Sequence, residues 1–143
     1  MTARPARRLV VLALPAALAC GATPGPAVAA APTGTTVVTQ ARSGDVVTIA
    51  RGRTLELRLT ACLASCGFRY ETERRPDPSV LRFRSSRVET PEQPQDGPPV
   101  VGGSSTKVVR YRATGRGTTR LALRLVGPEG TVDQRFRLTV RVR

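Results

Sequence analysis

The chain contains no histidine among its 143 residues. The commonest general base at neutral pH is therefore missing, and Ser-His-Asp and Cys-His schemes of nucleophilic catalysis go with it. Metal sites lose a favoured ligand as well, and the three cysteines cannot replace it. Tryptophan is also absent, and the only aromatics are Phe68, Tyr70, Phe83, Tyr111 and Phe136, so a core must rest on leucine and valine. No glycine-rich phosphate loop leads from a strand into a helix, and no internal repeat has a useful period. Acidic residues are few, ten against 23 basic ones. The carboxylates that come in pairs, Glu71 with Glu73 on one strand face and Glu89 with Glu92 beside a Pro-rich stretch, are read as ion-pair partners for the surrounding arginines. We therefore expect no enzyme, no catalytic residue, no metal and no cofactor.

What is present begins with a leader. Arg4, Arg7 and Arg8 precede an apolar run over 9–19, followed by small residues broken by Pro and Gly. This is the charged, apolar and cleavable order of a secretory signal, and the run is too short to span a bilayer. Two processing readings stand side by side. Ala27-Val28-Ala29 has the small-x-small pattern of ordinary signal cleavage, which would make 1–29 a signal peptide and release a free secreted chain; this is the preferred reading. Ala17-Leu18-Ala19-Cys20-Gly21 resembles a bacterial lipobox, departing from it at Ala17, and would leave Cys20 lipidated. Membrane attachment is expected only in the second case.

Either route removes Cys20 from the cysteine count and leaves Cys62 and Cys66 as a pair in a disulfide-permissive compartment. Two thiols without histidine are too few for a metal, and the spacing is one residue longer than that of redox Cys-x-x-Cys motifs. A structural disulfide is the expected state. By chain entropy a ring this small contributes only about 2 kcal/mol, so it shapes a loop more than it holds up a fold.

After the leader about 110 residues remain, enough for one domain with a modest core. Residues 21–34 read as a flexible spacer or leader remnant, and 30–42 as a flexible N-terminal segment with a first strand. Strand signals then recur at 35–40, 46–50, 54–60, 67–72, 80–83, 108–113, 119–126 and 135–142, most of them alternating apolar with polar. Ser43-Gly44-Asp45, Arg51-Gly52-Arg53, Gly115-Arg116-Gly117 and Gly127-Pro128-Glu129-Gly130 are turn chemistry between them. The expected fold is all-β, an immunoglobulin-like antiparallel sandwich of seven or eight strands. Leu55, Leu57 and Leu59 would share one face, and Leu121, Leu123, Leu125, Phe136, Leu138, Val140 and Val142 would point to the core. A long Pro-rich connection over 89–101, closing in Gly102-Gly103, breaks the rhythm.

The net charge of +13 falls to about +10 once the three leader arginines are set aside, nearly all of it arginine. These arginines alternate with apolar residues, as Arg82 and Arg84, Arg110 and Arg112, or Arg135, Arg137 and Arg141 do. That is the solvent face of half-buried strands, and no nucleic-acid motif accompanies it, so no specific nucleic-acid partner is expected. Attraction to an acidic partner or surface stays open.

From residue 43 to the end, the order of parts resembles the chagasin family of cysteine protease inhibitors. The likeness rests on an early strand pair, a loop ending in Gly67-Phe68, a long connection closing in Val101-Gly102-Gly103, an Ala-x-Gly-x-Gly-Thr-Thr turn from Ala113 to Thr119, and a loop at Pro128 before the last strand. The resemblance implies an immunoglobulin-like domain over 43–143 that inserts three loops into the cleft of a papain-like cysteine protease. The residues it assigns to those loops are Leu63, Ala64, Ser65, Cys66 and Gly67, then Gly102 and Gly103, then Gly127, Pro128 and Glu129. The family's first loop typically reads Asn-Pro-Thr-Thr-Gly-Tyr/Phe and its third carries Arg-Pro-Trp. Here Gly67, Phe68 and Pro128 match, and Glu129 stands where the family has a large aromatic. The expected function is a secreted inhibitor acting as a monomer. The alternative is a non-inhibitory extracellular binding module, free or lipid-anchored.

Overall fold

The computed structural model describes residues 34–91 and 103–143. The leader with Cys20, and residues 92–102 with Glu92 and Gly102, lie outside the described residues. The elements in chain order are β1 (Thr35–Thr39), a 3-10 turn (Gln40–Arg42), β2 (Val46–Ile49), β3 (Thr54–Ala61), β4 (Arg69–Arg74), β5 (Leu81–Glu89), β6 (Ser105–Ala113), β7 (Gly117–Val126) and β8 (Val132–Val142). They form two four-stranded sheets, ordered β1-β3-β6-β5 and β2-β8-β7-β4. The expected immunoglobulin-like sandwich is thus the architecture.

Period-two alternation builds its core. Leu55, Leu57 and Leu59 of β3 are fully buried, and Leu121, Leu123, Phe136, Leu138, Val140 and Val142 meet them from the other sheet. Each such side chain contributes about 1.5–3 kcal/mol by leaving water. Most ladders are antiparallel, but β1 pairs parallel with β3 and β2 parallel with β8. The chain climbs β1, crosses between the sheets through the 3-10 turn and descends β2, so each of these short strands lies beside one running its own way. Val38 is fully buried, which makes β1 a working part of the sandwich.

Three strands run at least three residues past their apolar signal, β8 among them from Val132. β5 continues to Glu89 through Arg84, Ser85, Ser86 and Arg87, where a bulge between Phe83 and Ser85 shifts the alternation. This edge strand is held by its backbone ladder to β6 more than by burial. β6 begins at Ser105 because Ser105, Thr106 and Lys107 pair with Ala61, Thr60 and Leu59.

The arginines lie mostly on the outer faces, where seven of them are ion-paired. Glu71 takes Arg69 and Arg124, Glu73 takes Arg135, and Glu89 takes Arg58 and Arg87. Glu56 is the most enclosed carboxylate, 5% exposed, and binds Arg58 at 3.0 Å and Arg110 at 2.7 Å. Burial alone would raise its pKa, but the hydrogen bonds and charges of Arg110 and Arg58 together hold it below the ordinary carboxylate value.

Candidate functional site

The ladder registers place three connections at one end of the sandwich. Ala61 pairs with Ser105 and Glu89 with Thr106 in one sheet, while Arg69 and Val132 both pair with Val126 in the other. The links after β3, β5 and β7 therefore leave from this end, which we call the loop end.

The first connection is stapled. Cys62 and Cys66 form a disulfide with their Cα atoms 5.4 Å apart. The amide of Leu63 donates to the Ala61 carbonyl at 2.9 Å, and Ser65 Oγ lies 3.3 Å from Cys62 Sγ. Leu63 is half-buried, whereas Ala64, Ser65, Cys66 and Gly67 are exposed. Gly67 has φ +71°, a left-handed conformation in which a side chain would be strained.

The third connection packs against the first. A Cβ placed on Gly67 would lie 3.4 Å from Pro128 Cβ, and one on Gly127 would lie 3.4 Å from the Phe68 ring. Gly127 is buried in this contact, while Pro128 and Glu129 project into solvent. The turn closes through Gly127 N to the Thr131 carbonyl at 2.9 Å and Gly130 N to the Gly127 carbonyl at 3.0 Å. Glu129 makes no ion pair with a described residue. Of the middle connection, Gly103 is exposed with open space around it, and Gly102 lies outside the described residues.

The base of the site contains a fastening that the sequence did not signal. Gln40 of the 3-10 turn accepts from the Thr60 amide at 2.6 Å and donates to the Thr60 carbonyl at 3.3 Å. The same carbonyl accepts from the Tyr70 hydroxyl at 3.4 Å, and Thr60 Oγ1 lies 3.1 Å from Thr106 Oγ1. Thr60 immediately precedes the stapled loop, so Gln40, Tyr70 and Thr106 fix its root from three elements. A glutamine beside a turn, 20 residues away in sequence, offers no pattern from which this clamp could be read. Burial raises the Tyr70 phenol, with the charge of Asp133 adding to it, so the hydroxyl stays a donor at neutral pH.

Two carboxylates near the site are bound to arginines: hydrogen bonds from Arg87 and Arg58 depress Glu89, and those from Arg69 and Arg124 depress Glu71. Among the described residues no three potential metal ligands come together. A cleft of about 620 Å³ opens between β4 and β5, lined by Tyr70, Phe83, Tyr111 and Leu123, and it contains no acid-base pair. What the loop end offers among the described residues is a stapled first connection packed against the third.

No protein-family model matches the chain, and no curated protein matches it in sequence. Solved structures match it in shape. The crystal structure of the cysteine protease inhibitor EhICP2 from Entamoeba histolytica is similar with a TM-score of 0.63 at 15% identity, covering 78% of this chain and 97% of that one. The solution structure of amebosin is similar with a TM-score of 0.53 at 22% identity, covering 75% and 96%. At these identities the likeness is one of fold, since a fold alone does not fix function. The chain thus has the sandwich that its chagasin resemblance implied, a fold also found in a cysteine protease inhibitor.

Proposed function

We propose that this chain is an exported inhibitor of papain-like cysteine proteases that blocks the cleft by inserting its loop end. The observation that carries this reading is the convergence of the connections after β3, β5 and β7 on one end, the first and third packed together through Gly67, Pro128, Gly127 and Phe68. Inhibition of this kind needs no reacting group. Rigid loops fill the space where substrate would lie, and the disulfide and the Gln40 clamp reduce the ordering that binding would otherwise cost. Leu63 to Gly67, Gly102 with Gly103, and Gly127 to Glu129 are the residues assigned to the contact. Export rests on the leader over 1–29, with Cys20 as the lipid site if the lipobox is used.

The test is titration of the purified protein against papain and a cathepsin. Saturable, reversible inhibition that weakens when the first and third loops are altered supports the reading. Inhibition indifferent to changes in all three loops would reject the mechanism. No inhibition of any papain-like enzyme would move the assignment to the second reading, a non-inhibitory extracellular binding module. One observation favours that alternative: Glu129 sits exposed at the tip of the third connection, where a large apolar side chain would be expected to enter a cleft.

A further inference from the structure

The end of the sandwich opposite the loops concentrates arginine. Here lie the turn between β2 and β3, with Arg51 and Arg53, the turn between β6 and β7, with Arg116, and the chain's last residue, Arg143. Backbone hydrogen bonds lock these together: Arg51 N to the Arg143 carbonyl at 2.8 Å, Gly52 N to the Ala113 carbonyl at 2.8 Å, and Ala113 N to the Arg53 carbonyl at 2.9 Å. Next to them Arg82 of β5 stands directly opposite Arg112 of β6. None of these six forms an ion pair with a described carboxylate. Arg51 instead donates to the Thr114 carbonyl at 2.9 Å. Of the acids near this end, Asp77 is engaged by Ser79, whose amide and hydroxyl reach it at 2.9 and 2.6 Å, and Glu56 is taken up by Arg58 and Arg110.

Like charges facing each other across a ladder destabilise a sheet, and clustered charge repels itself. Elsewhere in the sandwich Asp45, Glu56, Glu71, Glu73 and Glu89 hold seven arginines, while Arg74, Arg75, Arg84, Arg120, Arg137 and Arg141, spread along the strands, form no ion pair with a described carboxylate. What sets this end apart is that short turns tied by backbone hydrogen bonds bring six unpaired arginines together. The chain also enters the fold here: Thr35 pairs with Thr54, and the Thr54 amide donates to the Gly34 carbonyl at 3.0 Å. Whatever precedes residue 34 therefore arrives beside the arginines, on the side away from the loops.

We infer that the arginine end is a docking face for an anionic phospholipid surface, which holds the chain with its loop end pointing outward. The guanidinium groups match phosphate in geometry as well as charge, and six of them at one end supply the density that a headgroup layer rewards. The inference rests on the export part of the proposed function and not on protease inhibition, which is measured separately.

The experiment is co-sedimentation of the purified exported form, residues 30–143, with vesicles of phosphatidylcholine alone or mixed with phosphatidylglycerol. Binding is expected to the mixed vesicles only, and to fall steeply with salt. The quadruple variant Arg51→Gln, Arg53→Gln, Arg112→Gln and Arg116→Gln should lose at least about tenfold in affinity. A charge-matched variant at ion-paired positions, Arg42→Gln, Arg69→Gln, Arg87→Gln and Arg135→Gln, should lose much less. Replacing the first four by lysine guards against misfolding and should retain most of the binding. Equal binding to phosphatidylcholine alone would overturn the inference, as would equal losses in the two quadruple variants. Tight retention by polyphosphate or DNA with none by vesicles would overturn it in favour of a soluble polyanion. Papain inhibition by the arginine-end variant should be unchanged.

Discussion

The two ends of this sandwich are fixed by different means and suit different kinds of recognition. At the loop end the backbone is held by a disulfide, by a two-way clamp from Gln40 to Thr60, and by contact between the first and third connections. Its exposed side chains include Ser65, Pro128 and Glu129, with little charge of one sign. At the arginine end no covalent link exists among the described residues; short turns are tied by backbone hydrogen bonds and charge is left unpaired. A surface that recognises by shape must fix its backbone, because each loop residue ordered on binding subtracts from affinity. A surface that recognises by charge needs density more than geometry, because the field of several guanidiniums sums over distance. The same eight strands supply both.

Four changes break or sharpen that contrast. The largest effect belongs to the core that both ends share. Leu57→Ala removes a fully buried side chain and should cost about 2–5 kcal/mol, lowering the melting temperature and degrading both ends together. Loss of one end's behaviour with the other intact would show that they fold as separate units.

Cys66→Ser separates the ends. Opening the ring should cost at most about 2 kcal/mol of stability. It should weaken papain inhibition by about fivefold to tenfold while leaving vesicle binding where it was. Circular dichroism melts and the two binding assays report this directly, and equal damage to both ends would refute a local role for the staple.

Smaller still is Glu129→Trp, which replaces an exposed charge at the tip of the third connection by an apolar aromatic. Inhibition should tighten by about threefold with no change at the arginine end. Unchanged inhibition constants would place the third connection outside the contact.

The smallest effect concerns Glu56, midway along β3, where the outer face is closed by Arg58 and Arg110. Its pKa is lowered in the folded chain, so its contribution is fully present above the unfolded carboxylate value of about 4.3 and is lost as pH falls through the folded value. Because both arginines are partly exposed and screened, Glu56→Gln should cost only about 1 kcal/mol near neutral pH. Urea unfolding at several pH values should show the difference between variant and parent shrinking below about pH 4. A constant difference down to lower pH would show that the pair carries no net stabilisation.

Much of this was legible in the chain, and the illegible parts have identifiable causes. The alternation of Leu55, Leu57 and Leu59, and of Phe136, Leu138, Val140 and Val142, marked buried faces, and all seven are buried. The pairing of Cys62 with Cys66 followed from spacing and a count that left no other partner, and the structure joins them. Glu71, Glu73 and Glu89 are ion-pair partners of arginines, as their surroundings indicated. The full length of β5 was not legible, because the bulge after Phe83 breaks the period on which strand signals depend. Nor was the parallel pairing of β1 with β3 and of β2 with β8, since alternation says which face is buried and nothing about which neighbour runs beside it.

The sequence by itself determined the all-β class, the strand faces, the staple and the chemical poverty that excludes histidine-based catalysis, because each depends on residues close together in the chain or on composition alone. Tertiary structure decided which turns share an end. Gly67 meets Pro128 and Gln40 clamps Thr60 only because two sheets stack in one order, and the same stacking gathers Arg51, Arg82, Arg116 and Arg143 at the opposite pole. Such long-range neighbours are set by the summed burial of the whole core, and no local pattern of residues records them.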